Sequence, residues 1–311
     1  MVEVVKYSEK YKAVWDAFVE GSKNGTFLFY RDYMEYHADR FTDHSLLIYK
    51  KGKLVSLLPA NEVGQELHSH SGLSYGGFIT DKRMKSTLML KVIASVKLYL
   101  QVLGFRSVKY KAIPHIYHQQ PAEEDLYALF REGGVLYRRD VNSVIELQKS
   151  HPYSKDRRWR LSQGRRTLVQ LEVSRCFNSF FDLSKKRLKD KYNLSPIHTA
   201  EEMQQLATVF PENIKLYAAT KDGALLAGAL MYETSTVAHA QYLAASEKGR
   251  NLHALEVLVD WLLTEVYPHK SYFSFGVSTE QQGQYLNEGL VWNKESYGAR
   301  TIVHDFYEIQ L

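Results

Sequence analysis

The feature that most narrows the folds open to this chain is that its plan is written twice. Residues 45 to 63, SLLIYKKGKLVSLLPANEV, place two apolar runs around Lys51-Gly52-Lys53. That pattern predicts a β-hairpin, because the tight turn needs a left-handed backbone and glycine supplies it without a steric penalty. Residues 214 to 234, IKLYAATKDGALLAGALMYET, repeat the design around Lys221-Asp222-Gly223, with the second turn glycine 171 positions after the first. Behind each hairpin the same order returns. An amphipathic helix comes first (86 to 103, then 251 to 267), followed by a strand (Ser107 to Pro114, then Ser271 to Ser278). A second helix ends in glycine (Pro121 to Glu132, then Gly283 to Tyr297), and a long strand closes each set (Val135 to Leu147, then Arg300 to Ile309). The strand starts lie 164 residues apart and the closing glycines, Gly133 and Gly298, 165 apart. Three landmarks with nearly one offset mark a duplicated unit. For 311 residues, two halves of ordinary domain size follow, 1–150 and 151–311.

The first helix of each half carries an apolar stripe at helical period. Met89, Val92, Ile93, Val96, Leu100 and Leu103 form it in the first half, closed by Gly104, and Leu252, Leu255, Val259 and Leu262 in the second. The stretch Leu88 to Leu103 is too short to span a bilayer, which takes about 20 apolar residues, and carries Lys91 and Lys97. It reads as an amphipathic helix, and no membrane span is expected. A chain 45% hydrophobic and 24% charged, with 22 Tyr and 14 Phe, has ample material for two cores, which excludes a disordered chain. Cys176 is the single cysteine, so an intrachain disulfide and a cysteine zinc cage are excluded. The opening MVEVVKYSEKYK has no apolar signal-peptide core, so a cytoplasmic location is expected.

The formal charge of +5 is concentrated. Residues 154 to 191 hold 12 Lys and Arg against 4 acids. Such a segment suits a nucleotide, a phosphate-rich cofactor, RNA or an anionic surface, or is a solvated linker helix whose arginines meet acids elsewhere in the chain.

Helix, antiparallel hairpin, helix, strand, helix, strand builds a sheet that is antiparallel at its start and parallel in its middle. With Phe275-Gly276-Val277-Ser278-Thr279-Glu280, Gly283, Leu286-Asn287-Glu288-Gly289-Leu290 and Trp292-Asn293-Lys294-Glu295-Ser296-Tyr297-Gly298, the chain resembles the bacterial GNAT acyltransferase superfamily in its two-half form. That arrangement is shared with Fem-type aminoacyl transferases of peptidoglycan bridges. His68-Ser69-His70-Ser71-Gly72-Leu73-Ser74-Tyr75-Gly76-Gly77 resembles the loop that contributes to the substrate cleft of such proteins. The resemblance implies an α/β fold of two tandem acetyltransferase-type (GNAT) halves, each a mixed central sheet flanked by helices. It implies an N-acyltransferase acting on an amine of a small molecule or a cell-envelope precursor. The donor is acetyl-CoA or another acyl-CoA, or, in the Fem-like alternative, an aminoacyl-tRNA. A binding protein with a decayed acyl site is the reading from another class.

The candidate site lies mainly in the second half. Ser246-Glu247-Lys248-Gly249-Arg250-Asn251 follows the predicted strand Val237 to Ala245. There, backbone N–H groups at a helix start suit a pyrophosphate, Gly249 allows close approach, and Lys248 and Arg250 add charge, so Ser246, Lys248, Gly249, Arg250 and Asn251 are the expected donor contacts. The resembled loop has two glycines where this chain has Gly249 alone. Lys294 sits four residues before Gly298, where Fem-type enzymes have a lysine, and is expected to hold a developing oxyanion or donate a proton. Otherwise it pairs with Glu295 or Glu280. Glu280 is the expected acceptor of the amine proton, or else shares a helix cap with Ser278 and Thr279. His239 and Tyr242 on the predicted central strand fall on opposite faces by strict alternation. They are expected, with Asn287 and with His70, Ser71, Tyr75 and Gly76 of the first-half loop, to contact substrate. His68 and His70 lack nearby ligands to complete a coordination shell, so no metal is expected. Asp81-Lys82-Arg83-Met84 stands where the second half has its glycine-bearing turn, which places no donor site in the first half. P-loop, G-x-G-x-x-G, G-x-S-x-G and H-E-x-x-H motifs do not occur.

Overall fold

Both hairpins form, and for the reason their turns suggest. Lys51 and Gly52 in one, Asp222 and Gly223 in the other, hold consecutive positive φ values of 51° and 71°, and 52° and 75°, the geometry that matches the twist of the flanking strands. The computed structural model describes residues 1–192 and 196–311. The chain folds as two units. Unit 1 comprises Met1–Val141 with Gln281–Tyr285 and Val303–Leu311; unit 2 comprises Asn142–Glu280 with Leu286–Ile302.

Unit 1 begins with β1 (Val2–Lys6) and α1 (Lys12–Glu20), then the hairpin of β2 (Leu46–Lys50) and β3 (Lys53–Leu58). Short strands β4 (Asn61–Val63), β5 (Glu66–His68) and β6 (Ile79–Thr80) follow, then α2 (Ser86–Val102), β7 (Ser107–Lys111), α3 (Glu124–Arg131) and β8 (Val135–Glu146). Four strands form one sheet in the order β1-β2-β3-β6. In a second sheet β5 pairs parallel with β7 over three residues, and Phe306–Gln310 runs antiparallel to β7. Leu88, Met89, Val92, Ile93, Val96 and Leu100 of α2 are buried against Leu46, Ile48, Leu67, Val108 and Ile309. At about 1.5–3 kcal/mol for each large side chain removed from water, this one face accounts for much of what holds the unit. Leu103, expected on the same stripe, is 52% exposed; it is the cap residue just past the end of the helix at Val102.

Unit 2 opens with α4 (Lys155–Arg165), β9 (Gln170–Ser174), α5 (Phe177–Tyr192) and α6 (Ala200–Val209). The second hairpin, β10 (Ile214–Lys221) and β11 (Ala224–Glu233), leads into β12 (Val237–Ala245). The predicted single helix over 251–267 is broken into α7 (Glu247–Asn251), α8 (Ala254–Trp261) and a π-helical turn, Leu262–Val266. The break is at His253, whose backbone is left-handed (φ 53°). β13 (Tyr272–Val277), α9 (Glu288–Glu295) and β14 (Arg300–Gln310) close the chain. Strands β9 to β13 lie in sequence order, with Asn142–Glu146 of β8 beside β13. Ala227, Ala229, Met231, Ala238 and Ala240 meet Leu258, Val259 and Leu262 across one face. Small residues on the strands let the helix approach closely. The predicted helix Gly283–Tyr297 starts only at Glu288, because Asn287 caps it by accepting from the Leu290 N–H at 3.0 Å.

Candidate functional site

The site is built where two strands of unit 2 part company. β12 and β13 pair in parallel at Val237–Tyr272, Ala238–Phe273 and His239–Ser274, and β12 then runs on to Ala245. The separation leaves the last turn of β13 without a strand neighbour on that side, and there Gly276 adopts φ +72°. A side chain there would be strained by that backbone, and its Cβ would stand 3.2 Å from the His239 ring.

Lys294 reaches this point from α9. It is 7% exposed, and its Nζ donates to the carbonyls of Gly276 (3.0 Å) and Val277 (2.7 Å) and to Ser278 Oγ (2.9 Å). Ser278 Oγ in turn lies 3.1 Å from Ser143 Oγ. Burial pushes the Lys294 ammonium down to about 7, while two carbonyls, which only accept, favour the protonated form. The lysine is therefore poised near neutrality inside a ring of acceptors. The expected pairing with Glu295 or Glu280 is not among its bonds. Glu280 is exposed and accepts from Asn287 Nδ2 at 2.7 Å, and the Asn287 N–H bonds the Ser278 carbonyl. Ser278 thus joins the Lys294 group to the Glu280–Asn287 pair.

His239 lies beside this group, with its Nδ1 3.1 Å from Ser274 Oγ. Burial, then the neighbouring Lys294, push its pKa down to about 4, against a raising bond to Gln241. Its ring is neutral near pH 7. The alternation expected of His239 and Tyr242 fails for an identifiable reason. The register between β11 and β12 steps from Leu230–Tyr242 to Met231–Ala240, so Gln241 is a bulge and the next residues change face. His239 and Tyr242 consequently share a face. Tyr242 hydroxyl lies 2.8 Å from His198 Nδ1 and its ring packs edge-on against Phe181.

The Ser246–Asn251 segment is a compact cap. Ser246 Oγ accepts from the Gly249 N–H at 2.9 Å, and the N–H groups of Arg250, Leu252 and His253 bond to the Ser246, Lys248 and Arg250 carbonyls. Ser246 N–H itself donates to the Leu226 carbonyl. A Cβ on Gly249 would stand 2.0 Å from that same carbonyl, so glycine is required here by the packing of α7 on β11. Lys248, Arg250 and Asn251 are exposed, with Arg250 Nη1 donating to the Ala245 carbonyl.

In unit 1 the loop after β5 closes upon β7. Ser69 N–H and Gly76 N–H donate to the Lys109 and Lys111 carbonyls, and Lys111 N–H donates to Ser69 Oγ. His70 is buried with φ +60°, and its Nδ1 has no hydrogen-bond partner among the described residues. Desolvation pushes it down to about 3. Tyr75 is buried and bonds Thr26 Oγ1 at 3.0 Å, and a Cβ on Gly76 would strike the Ser69 carbonyl at 1.9 Å. Ser71 is exposed, and its N–H bonds Asn61 Oδ1. No group of three or more metal-ligating side chains is found among the described residues.

Two cations carry more of the geometry than sequence reasoning assigned them. Half-buried Lys111 donates from Nζ to the His70 and Leu73 carbonyls, and desolvation pushes it down to about 8. Nothing in the local sequence marks it. Arg157, one of the basic linker residues, is 3% exposed. It donates to Ser296 Oγ, the Tyr297 hydroxyl and the Asn293 carbonyl, and pairs with Glu256 at 3.1 Å. It braces the C-terminal end of α9, the helix that carries Lys294, against α8. Arg160 and Arg165 pair with Asp156 and Asp260.

No protein-family model and no curated protein matches the chain. Solved structures do. FemX superposes with a TM-score of 0.72 at 12% identity, covering 99% of this chain and 97% of that one. The L-PGS structure from Bacillus licheniformis gives 0.63 at 13%, covering 98% and 92%. A tandem GNAT protein from the clavulanic acid biosynthesis pathway gives 0.52 at 10%, covering 100% and 98%. The chain therefore has the tandem GNAT fold in its Fem-like form. Among the described residues no helix is long and apolar enough to cross a membrane.

Proposed function

We propose that the protein is an N-acyltransferase that passes an activated acyl group to an amine, with its chemistry in unit 2 around Lys294. The observation that carries this reading is the buried Lys294 ammonium held at the parting of β12 and β13, on a fold whose solved examples include FemX and a tandem GNAT protein. A transferase of this kind needs a neutral amine, a proton acceptor and a donor for the developing oxyanion, and no covalent intermediate. The amine nitrogen bonds the acyl carbon, the donor's ester or thioester bond breaks, and the amine proton passes through a base to the leaving atom. Glu280 is the base in this scheme. Lys294 supplies the oxyanion contact by exchanging the Ser278 hydroxyl, the one replaceable member among its three acceptors, for substrate. His239, neutral and beside Gly276, lies next to this group.

Of the two donors, the loop geometry favours an aminoacyl-tRNA over acyl-CoA. A CoA pyrophosphate is held at such a turn by free N–H groups, and here the Gly249 N–H is taken by Ser246 Oγ, which leaves those of Glu247 and Lys248 at the start of α7. The acceptor is an amine of a small molecule or a cell-envelope precursor, and the site is cytoplasmic in this reading. The deciding experiment incubates the protein with radiolabelled aminoacyl-tRNA or acetyl-CoA and a panel of amine acceptors. Label transferred from aminoacyl-tRNA and abolished in Lys294→Met supports the proposal. Transfer from acetyl-CoA alone reverses the choice of donor, and transfer undiminished in Lys294→Met removes that residue from the chemistry.

A further inference from the structure

Unit 1 carries a surface that neither the fold nor the transfer chemistry explains. The inner face of the amphipathic α2 helix fills the core, yet its outer face also carries apolar side chains, with Leu98 and Val102 63% and 79% exposed. Neighbouring apolar side chains left in water on one helix face mark a surface that is ordinarily covered. This outer stripe lies across from β1, the outermost strand of the four-stranded sheet, and the two enclose a groove of about 750 Å³. Met1, Val2 and Val4 form one wall and Ala94, Leu98 and Val102 the other. Glu3, between the two valines, points to the opposite face of the strand by alternation.

Charge identifies the occupant. Lys50 and Lys91 line the groove, and no carboxylate does. Val2 pairs with Lys50 and Lys50 with Lys53, so the β2–β3 turn brings Lys50, Lys51 and Lys53 to the Met1 end. None of these four lysines is in a salt bridge among the described residues. An exposed apolar slot rimmed by unpaired lysines matches a surface whose interior is hydrocarbon and whose outer layer is phosphate. Lysine stems can lie along the apolar part while their ammonium groups reach the phosphates. A second copy related by a two-fold axis would instead present the same lysines to this patch with no acid to answer them.

We propose that the β1–α2 groove docks unit 1 on a membrane containing anionic phospholipid, with Leu98 and Val102 inserted at the headgroup–acyl boundary and Lys50, Lys51, Lys53 and Lys91 on the phosphates. The inference is independent of the transfer reaction. The test is sedimentation of the full chain with phosphatidylcholine vesicles, with and without phosphatidylglycerol, over a salt series. Binding that requires phosphatidylglycerol and weakens with salt is expected. Lys50→Gln and Lys91→Gln should each lower the partition coefficient about fivefold. Leu98→Glu with Val102→Glu should reduce binding to background while thermal unfolding stays two-state and unshifted downward, since both side chains already face solvent. Absence of phosphatidylglycerol-dependent sedimentation overturns the proposal, as does binding insensitive to the double substitution Leu98→Glu, Val102→Glu. A concentration-dependent dimer that the double substitution dissolves, without vesicle binding, assigns the groove to a second copy instead.

Discussion

The two halves start from the same element order and treat one structural opportunity in opposite ways. In each, a short parallel pairing is followed by divergence: β5 and β7 pair over Glu66–His68 and Ser107–Lys109, and β12 and β13 over Val237–His239 and Tyr272–Ser274. In unit 1 the chain leaving β5 folds straight back, and Ser69 and Gly76 bond to the β7 backbone beyond the pairing. In unit 2 β12 continues as a strand to Ala245, and a lysine from α9, not a loop, takes the exposed carbonyls of β13. Each half uses a lysine to hold two carbonyls, Lys111 for a folded-back loop and Lys294 for a strand end. A shared scaffold thus yields two differently held strand ends, and the one held by Lys294 is where the transfer chemistry is proposed.

The largest test of that contrast sets the two lysines against each other. Lys294→Met should lower kcat by about 10²–10³-fold, the usual cost of losing an oxyanion donor, whereas Lys111→Met should alter thermal stability and leave kcat within a few-fold. The reverse pattern in a steady-state assay would relocate the chemistry to unit 1. Next in size are the two packed glycines. Gly76→Ala and Gly249→Ala each drive a Cβ to about 2 Å from a backbone carbonyl, and each should cost about 1–3 kcal/mol in denaturant unfolding. If Gly249→Ala instead left stability intact and abolished donor binding, its role would be contact with a ligand.

The pH dependence separates the halves further. Lys294 has a folded pKa lowered to about 7 from an ordinary 10.5. If its ammonium is the active form, kcat is level below pH 7 and falls above it, and Lys294→Arg removes that limb while keeping charge. The linked stability runs the other way: between about 7 and 10.5 the unfolded chain holds the proton and the native state does not, so this group's contribution rises with pH. The histidines act at acid pH. His70, His118 and His304 in unit 1, and His239 in unit 2, have pKa values pushed down to about 3, 4, 4 and 4, chiefly by burial. Stability associated with each is present above its unfolded value near 6.5 and is lost as pH falls toward the folded one. With three of the four, unit 1 should loosen first in acid. Trp15 is its single tryptophan and fully buried, so fluorescence of a variant retaining only that tryptophan reads the event directly. The smallest effects belong to the cap. Ser246→Ala should cost about 1 kcal/mol through the lost bond to Gly249, and Arg250→Ala, exposed, within about 0.5 kcal/mol.

Much of the fold was legible because it depends on local chemistry that sequence displays. Gly52 and Gly223 announce their turns, and the spacing of Met89, Val92, Ile93, Val96 and Leu100 announces the buried face of α2. Lys294 and Ser278 could be picked out through the motif around them. What the sequence reading left out shares one cause, that the interaction comes from elsewhere in the chain. Gly249 reads as a glycine for close ligand approach, and the fold adds that the Leu226 carbonyl leaves no room there for a side chain. Tyr242 reads as opposite His239 until the Gln241 bulge shifts the register. Arg157 reads as a linker arginine that meets an acid elsewhere in the chain, and the fold adds Ser296 and Tyr297 to the Glu256 it meets.

By itself the sequence determined the duplication, the order of helices and strands in each half, the absence of a disulfide, and the identity of the lysine at the heart of the proposed site. Periodicity, turn chemistry and composition act over a few residues and survive without the fold. Only the tertiary structure decided how each half holds its diverging strands, which glycines are packing necessities, and that Lys294 is desolvated among carbonyls. Desolvation and steric contact depend on what residues from other elements of the fold bring near, and no local pattern carries that information.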